Sequence, residues 1–159
     1  MLHHFVALCV AIILSTTVTT TVIEIEFMTK CVAGHDAWIY NGYGCYCGIG
    51  GSGEWMDGID ECCAHHDQCY ETLHEKSTCW QVPFEYLPIY TWKCNNRTVQ
   101  CTGLDTFGWQ ILPHDCSSQL CECDRKLVEC WNHYPEPREQ LKCPHPRIFH
   151  FHKRNSTKR

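Results

Sequence analysis

Fifteen cysteines in 159 residues constrain this chain more than any other feature. A content near one residue in ten belongs to a disulfide scaffold in an oxidising compartment. The opening residues agree. Phe5 to Leu14 is an apolar run of ten, followed by the small polar stretch Ser15 to Thr21. The run is shorter than the roughly 20 residues that span a bilayer, and no Asp, Glu, Lys or Arg precedes Glu24. Residues 1–20 therefore read as a secretory signal peptide, cleaved between Ser15 and Thr21, although His3 and His4 replace the usual basic residues. Its removal takes Cys9 away and leaves fourteen cysteines, the even number that seven bridges in a secreted, extracellular chain require. Asn96-Arg97-Thr98 and Asn155-Ser156-Thr157 are candidate glycosylation sites that suit this route. No other segment is long and apolar enough for a transmembrane helix.

Charge divides the chain into a body and a tail. The net charge is −5, yet from Lys142 onward there are six basic residues and no acidic ones. The preceding part keeps 7 basic residues against all 18 acidic ones, a balance of about −11. A nucleic-acid partner would require a basic face on the folded domain, so none is expected. Residues 144–159, rich in His, Lys and Arg, read as a solvated, flexible tail following a domain of residues 21–143. Lys153-Arg154 is a weak signal for processing there.

No repeat or low-complexity stretch interrupts the body, which makes a single domain the economical reading. Ile23, Phe27 and Met28 form a short amphipathic pattern, predicting an N-terminal helix before Cys31. Glycines crowd between Gly42 and Gly58, which must be loop. A helix is predicted from Asp57, as cap, to Leu73 or Glu75. A second is predicted over Ser117 to Trp131, capped by Asp115, with Leu120, Cys123, Leu127, Cys130 and Trp131 on one face. Between them, Thr91 to Cys94 and Arg97 to Cys101 suggest a two-stranded hairpin turning at Asn95-Asn96.

The chemistry concentrates in two motifs. Tyr43-Gly44-Cys45-Tyr46-Cys47-Gly48-Ile49-Gly50-Gly51 is a loop able to turn carbonyls inward. Asp60-Glu61-Cys62-Cys63-Ala64-His65-His66-Asp67-Gln68-Cys69-Tyr70 then carries an adjacent His and Asp on a helix. Together they supply a hard-cation site beside a general base. These residues resemble the calcium loop and active-site helix of the secreted phospholipase A2 family, over roughly Val22 to Cys143. The resemblance implies a mainly α, disulfide-rich fold. Its parts are an N-terminal helix, a calcium loop, two antiparallel disulfide-linked helices and a small two-stranded β-wing. It also implies the bridges Cys31–Cys94, Cys45–Cys143, Cys47–Cys63, Cys62–Cys130, Cys69–Cys123, Cys79–Cys116 and Cys101–Cys121, of which the first resembles the pancreatic-type subclass. With that pairing imposed, Cys62–Cys130 and Cys69–Cys123 have equal residue-number sums, as antiparallel helices in register require. They are also spaced by seven residues, two helical turns.

The same register puts His66 level with residue 126, so Asp124 lies about 3 Å away along the axis at a rise of about 1.5 Å per residue. A carboxylate at that level fixes one imidazole nitrogen and leaves the other to take a proton. The resemblance implies that His66 deprotonates a water that attacks an ester and that Asp124 orients His66. His65 is the competing base, but it is rotated about 100° from the face shared by Cys62, His66 and Cys69. Asp67 offers a carboxylate to Ca²⁺, and Tyr46, Gly48 and Gly50 match the positions that give carbonyl oxygens. Millimolar extracellular calcium suits an affinity of roughly 10⁻⁴–10⁻³ M. The Gly48 N–H matches the family's oxyanion donor, and Tyr70 and Tyr90 match tyrosines that hydrogen-bond the Asp behind the His. A G-x-S-x-G elbow is absent, and cysteines committed to bridges leave no tetrahedral zinc set.

Val22, Ile23, Ile49 and Trp55 lie on segments that form the family's lipid-binding rim, making a phospholipid membrane or micelle surface the expected partner, with no obligate protein partner. Trp55 stands where the family usually has Pro, and Glu24 where it usually has Gln. The segment from Cys101 to Cys116 is longer than in the pancreatic type and carries Phe107, Trp109, Ile111 and Leu112 as a second contact patch or lid. The expected activity is calcium-dependent hydrolysis of the sn-2 ester of glycerophospholipids. The rivals are a non-catalytic phospholipase-like binding protein or toxin, and a disulfide-rich signalling module without a site.

Overall fold

The computed structural model describes residues 20–75, 79, 90–102 and 114–145. Within them, helices α1 (Thr20–Val32), α2 (Gly58–Glu75) and α3 (His114–Trp131) surround a hairpin of β1 (Trp92–Asn95) and β2 (Thr98–Cys101). Among the described residues the fold is mainly helical, with one two-stranded antiparallel sheet and seven disulfides. Those disulfides are the seven pairs that the family resemblance implies. No described helix is long and apolar enough to cross a membrane.

A helix start leaves N–H groups in need of acceptors, and Asp57 serves α2 as predicted. Its Oδ1 accepts the Asp60 amide at 2.9 Å and its carbonyl accepts the Glu61 amide at 2.9 Å. The apolar stripe of α3 buries Leu120, Leu127, Val128 and Trp131 in the same core as Ile59, Cys62 and Leu73 of α2. Cys62–Cys130 and Cys69–Cys123 fix the register, with Cα–Cα distances of 5.8 and 5.9 Å. Helix α3 begins earlier than predicted, so Asp115 lies inside its first turn and is not its cap.

Helix α1 buries Met28, Thr29 and Val32, while Ile23 and Phe27 point outward. The three apolar residues read as one stripe are therefore divided between two faces. Cys31–Cys94 ties α1 to β1, and the Arg97 Nε donates to the Val32 carbonyl at 2.9 Å, satisfying an acceptor at the helix end. The hairpin turns at Asn96-Arg97, one residue later than predicted, because Asn95 pairs with Thr98. Both turn residues have positive φ, 48° and 61°, the condition for a type I′ turn. Cys101–Cys121 carries β2 onto α3, and Cys45–Cys143 clamps the C-terminal segment beside a Gly44–Lys142 bridge. The predicted leader before Thr20, the long segment carrying Phe107, Trp109, Ile111 and Leu112, and Asn155 lie outside the described residues, as does the tail after His145.

Candidate active site

His66 lies on α2 between the half-cystines Cys62 and Cys69, and Asp124 follows Cys123 on α3. The crosslinked pair therefore sets both side chains. His66 Nε2 lies 2.7 Å from Asp124 Oδ1, and Asp124 is fully buried. The Tyr70 hydroxyl donates to the same oxygen at 2.7 Å, and the Tyr90 hydroxyl donates to Oδ2. Burial, then the neighbouring Asp124, pushes both phenols well above their ordinary pKa. Both tyrosines remain donors at neutral pH, and Asp124 must accept. Three donors converge on its two oxygens, so the Asp124-facing nitrogen of His66 carries a proton. That leaves a lone pair on Nδ1, which faces Asp67 Oδ1 at 4.0 Å. The gap exceeds a direct hydrogen bond and fits a basic nitrogen poised beside a second carboxylate.

The loop is tied to α2 by Cys47–Cys63. The carboxylate of Asp60, fully buried on α2, accepts the backbone amides of Cys45 at 2.8 Å, Tyr46 at 2.7 Å and Met56 at 3.0 Å. One anion thus binds both ends of the loop. Gly44 is obligatory beneath it, because a Cβ there would lie 2.2 Å from the Asp60 Cγ. The Tyr46 hydroxyl reaches across to the Gly53 carbonyl at 2.7 Å. Gly48 and Gly50 adopt φ of 126° and 70°, in the left-handed region where glycine carries no steric penalty. Asp67 is 40% exposed at its side chain.

By residue type, the groups that could hold a hard divalent cation are the Asp67 carboxylate and the carbonyls of Tyr46, Gly48 and Gly50, on a loop tied to the same helix by Cys47–Cys63. A softer metal fits poorly. Among the described residues, Cys45, Cys143 and His145 are the cluster close enough to share an ion, and both sulfurs are spent in one disulfide. His65 is exposed, with its ring tilted against that of Trp55 at a centroid distance of 6.0 Å. Sequence reasoning missed Asp60. Its signal was positional, since it shares the α2 face of Cys63 and Asp67 at i+3 and i+7, the face bridged to the loop by Cys47–Cys63.

Of the expected rim, Ile49 is 75% exposed and Ile23 and Trp55 are partly exposed, whereas the Val22 side chain lies outside the described residues. Phe27 and Trp38 are also exposed, at 53% and 60%, and were not anticipated as rim residues. Glu24 accepts the Trp92 indole N–H at 2.6 Å. A hollow of about 180 Å³ between α2 and α3 is lined by His65, His66 and Lys126. A larger one of about 400 Å³, lined by Tyr43, Asp57, Tyr134 and Arg138, shares no residue with the His66–Asp124 pair. Of the two, the smaller is the one that His66 lines.

A family model described as Phospholipase A2 matches residues 22–142. The chain is 35% identical over 123 residues to a phospholipase A2 of Oryctolagus cuniculus, covering 76% of this chain and 80% of that protein. It is 35% identical over 109 residues to acidic phospholipase A2 E of Naja oxiana, covering 68% of this chain and 82% of the relative. It is 36% identical over the same length, with the same coverage, to acidic phospholipase A2 2 of Naja naja.

Proposed function

The chain belongs to the phospholipase A2 family, and on that premise we propose that it is a secreted, calcium-dependent hydrolase of the sn-2 ester of glycerophospholipids, releasing a fatty acid and a lysophospholipid. One observation carries the proposal. His66 gives one nitrogen to the buried Asp124 at 2.7 Å and turns the other toward Asp67.

A base so held removes a proton from a water molecule as its oxygen attacks the ester carbonyl. The proton goes to Nδ1, and Asp124 stabilises the imidazolium that forms. His66 then returns that proton to the departing alkoxide of the lysophospholipid, which restores the neutral base. No Ser or Cys nucleophile takes part. The Gly48 N–H donates to the oxyanion of the tetrahedral intermediate. Calcium, when held by Asp67 and the carbonyls of Tyr46, Gly48 and Gly50, supplies positive charge that polarises the ester carbonyl. Ile23, Phe27, Trp38 and Ile49 give the exposed apolar side chains that a lipid surface takes up.

The test is fatty-acid release from sn-2-labelled phospholipid vesicles, with calcium and with excess chelator. Release that chelator abolishes supports the proposal. Absence of release from zwitterionic and anionic vesicles by a correctly oxidised chain would leave a phospholipase-like binding protein or toxin in its place.

A further inference from the structure

Successive side chains on a strand point to opposite faces, so residues 90, 92 and 94 share one. The strand pairing extends beyond β1 by one rung, because the Thr102 amide donates to the Thr91 carbonyl at 2.9 Å and the two threonine hydroxyls lie 3.0 Å apart. All three side chains on the shared face are anchored to helices. The Tyr90 hydroxyl donates to Asp124 on α3, the Trp92 indole donates to Glu24 on α1 at 2.6 Å, and Cys94 is bridged to Cys31 on α1.

The spacing of these anchors decides which one seats Tyr90. Cys94 is four residues from Tyr90, about 13 Å of extended chain at roughly 3.3 Å per residue. On the other side the next half-cystine, Cys79, is eleven residues away. The Trp92–Glu24 contact is two residues away, half the distance to the nearer bridge. Tyr90 must be placed accurately, since it donates to the Asp124 oxygen that His66 does not use. Glu24 is itself partly buried, so the contact is shielded from solvent that would compete for the indole N–H.

We propose that Glu24 is a positioning residue for the His66–Asp124 pair, acting through Trp92 to hold the strand that delivers Tyr90 to Asp124. The proposal rests on the hydrolase reading for its kinetic consequence but not for its structural one. The two therefore fail separately.

The experiment compares the full chain with Glu24→Ala, Glu24→Gln, Trp92→Phe and the Glu24→Ala/Trp92→Phe double variant. Calcium binding by calorimetry and thermal unfolding establish that each folds. In ¹H–¹⁵N spectra of the parent chain, the Trp92 indole N–H is expected to be slow to exchange. That protection is lost in Glu24→Ala and kept in Glu24→Gln, whose amide oxygen also accepts. On sn-2-labelled vesicles, kcat is expected to fall about 10-fold in Glu24→Ala, with KM unchanged, since misplacing a supporting group lowers turnover more than substrate binding. Glu24→Gln recovers most of the loss. Trp92→Phe matches Glu24→Ala, and the double variant is no worse than either single one.

Three results would overturn the proposal: an indole proton as exposed in the parent as in Glu24→Ala, kinetic losses that add in the double variant, or a Glu24→Ala effect confined to KM. A parent chain that folds and binds calcium but releases no fatty acid removes the hydrolase reading, and the indole exchange still decides the role of Glu24.

Discussion

Two halves of the site are built on different terms. The His66–Asp124 half is crosslinked on both sides, since Cys62 and Cys69 flank His66 and both partners lie on the helix that carries Asp124. The loop half is crosslinked only at its start, where Cys45 and Cys47 flank Tyr46. Beyond Cys47 the chain through Gly48, Ile49 and Gly50 has no bridge, and Ile49 is 75% exposed. It returns to the fold through the Met56 amide on Asp60 and the Asp57 cap. The geometry proposed for proton transfer is therefore set by covalent bonds, while that proposed for holding the cation depends on one buried carboxylate and on glycine backbone. A base must meet its proton within hydrogen-bond reach, whereas calcium accepts flexible oxygen geometries. The unequal construction matches unequal tolerances.

Substitutions can break this contrast or sharpen it. The largest effect is expected from Asp67→Ala, which removes the carboxylate between the two halves. Calorimetry should then detect no calcium binding, and vesicle hydrolysis should fall to the level seen with chelator. Asp60→Asn comes next and touches the loop half alone. Replacing one carboxylate oxygen of a fully buried group that accepts three amides should weaken calcium binding about 10–100-fold. The indole and ring signals of the His66 side should not change. An equal disturbance of both halves would show that they are one mechanical unit.

Smaller changes probe the crosslinked half. Tyr90→Phe removes one hydrogen bond to Asp124 and leaves two. It should lower stability by about 1–3 kcal/mol in denaturant titrations, because Asp124 retains a buried, unsatisfied oxygen. The mildest test is alkaline titration. Burial, then Asp124, raises the Tyr70 and Tyr90 phenols in the folded state. Their contribution to stability is whole below the unfolded value near pH 10 and is lost as pH rises toward the folded values. Tyrosinate absorbance from these two should therefore appear together with unfolding and not before it.

Much of the crosslinked half was legible because its determinants are periodic. The seven-residue spacing of Cys62 with Cys69 and of Cys123 with Cys130, once paired, places Asp124 within reach of His66 without a structure. The cap at Asp57 and the hairpin were local features and equally readable. What escaped depends on contacts between distant segments. Asp60 looks like any acidic residue in a first helical turn until the amides of residues 45, 46 and 56 are folded onto it. Glu24 was visible as a departure from the family, but its partner Trp92 lies 68 residues away. The hairpin turn shifted by one residue because Arg97, a residue with no turn preference, is held at positive φ while its guanidinium meets the end of α1.

The central claim is that His66, oriented by Asp124, is the base of a calcium-dependent ester hydrolysis. The most direct measurement is the rate of fatty-acid release from sn-2-labelled vesicles by the parent chain and by His66→Gln, both folded, oxidised and saturated with calcium. A loss of about 10²–10⁴-fold or more is expected in the variant, with calcium binding intact. A His66→Gln chain that releases fatty acid at the parental rate would contradict the claim.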